Sequence, residues 1–337
     1  MRFCFVVHRA APFPGGTEVF MQAMAEEAVA RGHSVTILAG QHQGDLNGVA
    51  VTSDMAVLDQ AFDMIVVHGS SDGPPRRVLD CAATLPSPVL YMLVAHYRHH
   101  IRAAHLRQAT LLGWSTPMDQ QIIARAGHAA KATRLRHGIL PAAALGAPGF
   151  RAKYGIAPDR QMFLSCGGYW PNKRMKPLAK LFETTKGDAL LVTTGYDNRD
   201  NAMPRASDRV LPLMLPDRSD VTSAIAEADC YLMHSRDEGF GLVLLEAMMN
   251  ETPWISHETG GATVLQDFGQ IYRQDADLIR MIEGFRPDPA RIAAARAHAL
   301  QEYTIARTVD DLEQAVRHVP ESRSPARRRW WSFARWW

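Results

Sequence analysis

Two acidic residues and a glycine-flanked aromatic make Ser235 to Ile255, SRDEGFGLVLLEAMMNETPWI, the most chemically loaded stretch of the chain. Glu238 precedes a Gly239-Phe240-Gly241 turn, and Glu246 follows within an apolar run. Tyr231-Leu232-Met233, just upstream, reads as the end of a buried strand. Glycines without a Cβ let the backbone turn sharply and a ligand come close. A helix starting near Gly241 would aim unpaired N–H groups and its positive dipole end at that ligand, which favours a phosphate. Glu246 would then sit about 7 Å further along the helix axis. An acid before the turn, an anion seat at the turn and an acid after it suit a polyhydroxylated, phosphorylated ligand. A nucleotide sugar fits that description.

Other residues offer supporting chemistry. Gly15-Gly16-Thr17-Glu18 lies between a first strand and a first helix, where backbone amides can approach an anion. It is not the G-x-G-x-x-G dinucleotide fingerprint, which argues against a dehydrogenase. In Cys166-Gly167-Gly168-Tyr169-Trp170-Pro171-Asn172-Lys173, glycines and a proline form a loop from which the Lys173 ammonium could reach a diphosphate. His96 ends the run Tyr91–His96, and histidine can donate a hydrogen bond or a proton near neutral pH. His68 closes Ile65-Val66-Val67 in the same way. His96, His99, His100 and His105 contain no carboxylate among them and match no metal-ligand pattern, so they read as a donor-rich patch for a hydroxylated ligand rather than a metal centre.

EGFGLVLLEAM followed by TPWI closely resembles the paired-glutamate signature of the retaining glycosyltransferases of family 4. Weaker correspondences run to about residue 310. The resemblance implies a GT-B fold, in which two Rossmann-like domains with doubly wound parallel sheets face each other across a cleft. It implies that Glu238 contacts sugar hydroxyls, that the Phe240, Gly241 and Leu242 amides meet the diphosphate, and that Glu246 holds the ribose. Lys173 aligns with a lysine that binds the diphosphate. Gly15 and Gly16 fall near the diphosphate and acceptor, and His96 near the acceptor and anomeric carbon. The implied donor is a UDP- or GDP-sugar, used without a metal, and the implied acceptor is a hydroxyl on a saccharide or a lipid-linked saccharide. Gly168 stands where the family carries a second cation, an arginine, for which Arg174 is the nearest substitute. Val264 stands where a glutamate is usual. These departures keep a non-catalytic nucleotide-sugar-binding subunit open, and a nucleotide-sugar 2-epimerase shares the architecture.

The elements expected to position these residues alternate in type. Strands are expected at Phe3–Val7, His33–Ala39, Met64–Val67 and Val89–Val94, and another closing at Gly113-Trp114-Ser115. A helix Glu18–Arg31, capped by Thr17, follows the first strand. A second series runs from strand Met162–Cys166 through helix Pro177–Thr184, strands Ala189–Thr193 and Arg209–Leu213, helix Asp220–Glu227 and strand Asp229–Met233. Helices Pro289–Leu300 and Thr304–Val319 close the pattern. Alternation predicts parallel sheets with ligands beyond the strands' carboxyl ends. Expected domains are 1–140 on the acceptor side and 151–303 on the donor side. Leu140–Phe150 forms an unpatterned linker, and the resemblance implies that the helix at 304–320 packs back on the first domain.

The chain has 337 residues, 47% hydrophobic and 21% charged, a globular composition. A net charge of +2 gives no support for nucleic acid as a partner. Cys4, Cys81, Cys166 and Cys230 are scattered, which suits reduced thiols in a cytoplasmic protein. The apolar run at the start is too short for a signal peptide, and no segment approaches a membrane span. The tail Glu321–Trp337, ESRSPARRRWWSFARWW, interleaves arginine with tryptophan and suits an anionic membrane surface.

Overall fold

The computed structural model describes residues 1–69, 72–94, 99–198, 200–215 and 217–320. His96 and the Arg/Trp tail lie outside them. The first half runs β1 (Arg2–Val6), α1 (Gly16–Ala30), β2 (Ser34–Leu38), β3 (Gly44–Leu46), β4 (Val49–Thr52), β5 (Met64–His68), α2 (Pro74–Asp80), β6 (Val89–Met92), α3 (Ala103–Gln108), β7 (Leu111–Trp114), α4 (Pro117–Arg125) and β8 (Ala132–Arg134). The second runs α5 (Pro141–Ala144), α6 (Phe150–Lys153), β9 (Met162–Cys166), α7 (Met175–Glu183), β10 (Leu190–Gly195), β11 (Val210–Met214), α8 (Arg218–Glu227), β12 (Cys230–Met233), α9 (Leu242–Met249), β13 (Trp254–His257), β14 (Gln270–Tyr272), α10 (Asp275–Glu283), α11 (Pro289–Glu302) and α12 (Ile305–Arg317).

These strands form two sheets, ordered β3-β4-β2-β1-β5-β6-β7-β8 and β11-β10-β9-β12-β13-β14. Every named pairing is parallel except β3 with β4. Fully buried runs such as MIVVH and MFLSC explain the parallel pairing, because both faces of these strands are covered. Strand order reverses between β1 and β5 in the first sheet and between β9 and β12 in the second. Crevices open at such switch points. The loops after β1, β5, β9 and β12 carry most of the residues picked out by sequence.

Several elements differ from expectation. Helix α1 starts at Gly16 with Gly15 as its N-cap, and no side chain caps it. Thr17 is therefore inside the helix, and Glu18 folds back over Gly15 instead. The β3–β4 hairpin was not foreseen, although its turn carries a clear signal: Asn47 and Gly48 both have positive φ, 54° and 78°. The segment expected to be an unpatterned linker contains α5 and buries Phe150 at the start of α6. No helix among the described residues is long and apolar enough to cross a membrane.

Helix α12 lays Ile305, Val309, Leu312 and Ala315 into the core of the first sheet, beside Phe3, Phe5 and Met24. Two stretches of chain pass side by side at its start. Ile139 N donates to Tyr303 O at 2.9 Å, and Ile305 N donates to Ile139 O at 2.7 Å. Gly138 lies so close to the Thr304 backbone that a Cβ there would collide with it. Arg136 fixes the crossing through Asp311 at 2.8 Å and Glu302 at 2.9 Å.

Candidate active site

A cleft of about 660 Å³ separates the carboxyl ends of the two sheets. That volume suits a ligand the size of a nucleotide sugar. Gly15, Gly16, His68 and His137 line it from the first sheet. Lys173, Arg218, Glu238, Glu246 and the Gly239–Val243 turn line it from the second.

The glutamate turn is built as its residues dictate. Gly241 has φ +83°, a left-handed conformation that disfavours other residues, and is the N-cap of α9. Gly239 faces the first domain, where a Cβ would stand 2.8 Å from Val94. The Thr259-Gly260-Gly261 loop braces the turn. Glu238 N donates to Thr259 Oγ1 at 3.2 Å, and Gly261 N donates to Phe240 O at 2.7 Å. A Cβ at Gly260 would stand 2.6 Å from Gly239 O. The loop that contains Val264 therefore has a definite task, which is to hold the backbone of the turn. Phe240 is buried and stacks on His137 of the first domain, centroids 5.4 Å apart and planes at 22°.

Each glutamate has a cation. Lys173 Nζ lies 2.5 Å from Glu238 Oε1. Arg218, the first residue of α8, is ion-paired with Glu246. The glutamate side chains are only 10% and 7% exposed, so neither acid is an ordinary solvated surface residue. Sequence reading missed Arg218, which sits in a polar stretch with no local pattern. Arg174, considered as the second cation, turns away: its Nη2 lies 3.3 Å from His234 Nε2, and the residue does not line the cleft. Trp170 accounts for Gly168, because a Cβ there would be 2.6 Å from the indole ring.

On the first sheet, Gly15 and Gly16 do face the cleft. The start of α1 is already shielded by Glu18, which is buried and ion-paired with Arg9 at 3.1 Å. Burial raises the Glu18 pKa above the usual carboxylate range, opposed by hydrogen bonding and by Arg9. His68 and His137 form a buried pair, Nε2 to Nε2 3.4 Å. Burial lowers His68 to about 4 and pushes His137 well down, so both rings are neutral at pH 7. The remaining described histidines of the expected acceptor patch are elsewhere. His105 is buried in α3 within the first domain and bonds Asp80 at 2.8 Å, and His99 contacts His100. Neither His99, His100 nor His105 lines the cleft.

Two mixed α/β domains with parallel sheets, facing across a cleft at their switch points, constitute the GT-B fold. Residues 148–266, which span the Lys173 loop and the glutamate turn, match the family model for glycosyl transferases group 1. Similar solved structures include a sucrose-phosphate synthase from Thermosynechococcus elongatus, with TM-score 0.75 and 14% identity over 93% of this chain and 98% of that one. HepE of Anabaena, solved in complex with UDP, gives TM-score 0.73 at 17% identity over 94% and 100% of the two chains. WaaG, a glycosyltransferase involved in lipopolysaccharide biosynthesis, gives 0.69 at 18% identity over 95% and 100%. A comparison with curated proteins returns no match.

Proposed function

We propose that this protein is a retaining, metal-independent glycosyltransferase that moves a sugar from a UDP- or GDP-sugar to a hydroxyl of a saccharide or lipid-linked acceptor. The observation that carries the reading is the pair of sunken glutamates flanking the start of α9, each matched to a cleft cation. The match to glycosyl transferases group 1 covers those residues, and HepE, of similar fold, was solved with UDP-glucose.

In this reading Glu238 accepts hydrogen bonds from the sugar hydroxyls and Glu246 from the ribose. The anomeric carbon–oxygen bond to the diphosphate breaks as the acceptor oxygen forms its bond on the same face. The acceptor's proton passes to the departing diphosphate oxygen, so charge and atoms balance. Negative charge grows on that diphosphate, where Lys173 and the Phe240–Leu242 amides stabilise it more than they stabilise the ground state. Gly15, Gly16 and the neutral His68 shape the acceptor side, and His96 is assigned there with them. The basic, tryptophan-rich tail would bring the enzyme to an anionic membrane where a lipid-linked acceptor resides.

A panel of UDP- and GDP-sugars in a thermal-shift screen tests the donor, because a ligand that prefers the native state raises Tm. Product analysis with the selected donor should give free nucleoside diphosphate and a glycoside of unchanged anomeric configuration, and Glu238→Ala should abolish both. An epimerised donor without released diphosphate, or turnover that survives Glu238→Ala, would overturn the reading.

A further inference from the structure

Resting on that donor reading, we propose that Arg218, paired with Glu246, is the second cation for the diphosphate and turns from the acid to the phosphate when the donor binds. Four observations converge on it. Arg218 lines the cleft from the first turn of α8, and its guanidinium is paired with Glu246. Its side chain is 36% exposed while that of Glu246 is 7% exposed, so the cation keeps an open side and the acid does not. Arg218 and Lys173 line the same cleft, together with Cys166 at the end of β9. The other candidates are committed elsewhere: Trp170 fills the space beyond Gly168, Arg174 faces His234, and Arg9 is held by Glu18 on the opposite sheet.

The chemistry of exchange follows from the partners. A guanidinium gains more from a diphosphate, which offers several oxygens for two parallel N–H bonds, than from one carboxylate. Moving to the phosphate leaves Glu246 free to accept from a pair of hydroxyls. One acid therefore serves as a place-holder before binding and as a ribose ligand after it. Lys173 and Glu238 are arranged in the same way on the sugar side.

The test is the affinity for UDP and for GDP by titration calorimetry, in wild type, Arg218→Gln, Glu246→Gln and the double variant. Glu246→Gln removes the acid that Arg218 could otherwise be serving. In that background the loss of Arg218 acts only through the ligand, and no unpaired buried charge is left to compromise folding. We expect the nucleoside diphosphate that wild type binds to lose about ten- to a hundredfold in affinity when Arg218→Gln is added to Glu246→Gln, the range for a charge-assisted hydrogen bond. Arg218→Lys should recover part of the loss. A change of less than about threefold in the Glu246→Gln background would overturn the inference and assign Arg218 to holding Glu246 alone. If wild type binds neither UDP nor GDP, the donor reading falls and this inference with it. If wild type binds one of them and the double variant binds it as well as Glu246→Gln does, only this inference falls.

Discussion

Acidification should destabilise the first domain through His68, and the size of the effect can be worked from its surroundings. The ring ends β5 at 7% exposure, with Phe20 at 6.0 Å, His137 at 5.7 Å and no acid paired with it among the described residues. Burial lowers its pKa from 6.5 to about 4. The unfolded chain therefore takes up a proton first as pH falls through 6.5, and the folded form resists until about pH 4. Stability is complete above pH 6.5 and is lost on the way down. At about 1.4 kcal/mol per pH unit, His68 costs about 2 kcal/mol by pH 5 and about 3 kcal/mol by pH 4. His68→Gln keeps a neutral hydrogen-bonding group and removes the titration. Urea unfolding of wild type and variant at pH 7 and pH 5 reads the difference, whatever the substitution does to stability at pH 7. Wild type and variant are compared with His137→Gln in both, because His137 touches His68 and is lowered partly by it, while His234, lowered by burial, remains in both and largely cancels. The variant should lose about 2 kcal/mol less than wild type between the two pH values. Equal losses would show that His68 is protonated normally in the fold and refute the argument.

Three further outcomes follow from the site. Lys173→Met should lower kcat about 100- to 1000-fold, with a smaller change in donor KM, since its ammonium serves charge that develops on departure; a change in KM alone, in steady-state kinetics, would assign it to ground-state binding. Gly241→Ala forces a Cβ onto φ +83° and to 3.2 Å from Met233 Sδ, so it should cost about 1–2 kcal/mol in a melt and weaken UDP or GDP binding through displaced amides. Exhaustive EDTA treatment should leave transfer unchanged; recovery on adding Mg²⁺ or Mn²⁺ to an EDTA-inactivated enzyme would defeat the metal-independent assignment.

What sequence revealed and what it hid divide by range along the chain. The glutamate turn was legible because its strand end, left-handed Gly241 and apolar helix are contiguous, and each carries its own local signal. The parallel sheets were legible for the same reason, from short fully buried runs. Helix α1 begins at Gly16, earlier than the Thr17 cap predicts, with Gly15 as N-cap and no capping side chain. The hairpin at Asn47-Gly48 also carries a local signal, an Asn-Gly pair with positive φ at both residues. The pairings that define the cleft were hidden. Arg218 meets Glu246 from 28 residues away, Lys173 meets Glu238 from 65, and His137 stacks on Phe240 across the two domains. No periodicity announces such contacts, because they depend on where strand order reverses. His105 shows the converse error: spacing grouped it with His99 and His100, while folding turned it inward to Asp80.

The same long-range pairings explain how a site for a multiply charged ligand can exist without one. A carboxylate as sunken as Glu246 would be costly to leave unpaired, and a cation held close offsets much of that cost. Were the cations instead held apart from the acids, the cleft would confine both signs of charge without compensation. Pairing each acid with the cation it later releases keeps the free protein stable. It also means that donor affinity measures only the difference between two sets of ion pairs, since the protein–protein pairs must open before the protein–phosphate pairs form. Removing one member of a pair therefore acts on the free state as well as on the complex. Arg218→Gln alone would report both effects together, and they separate only when Arg218 is removed with its acid already neutral.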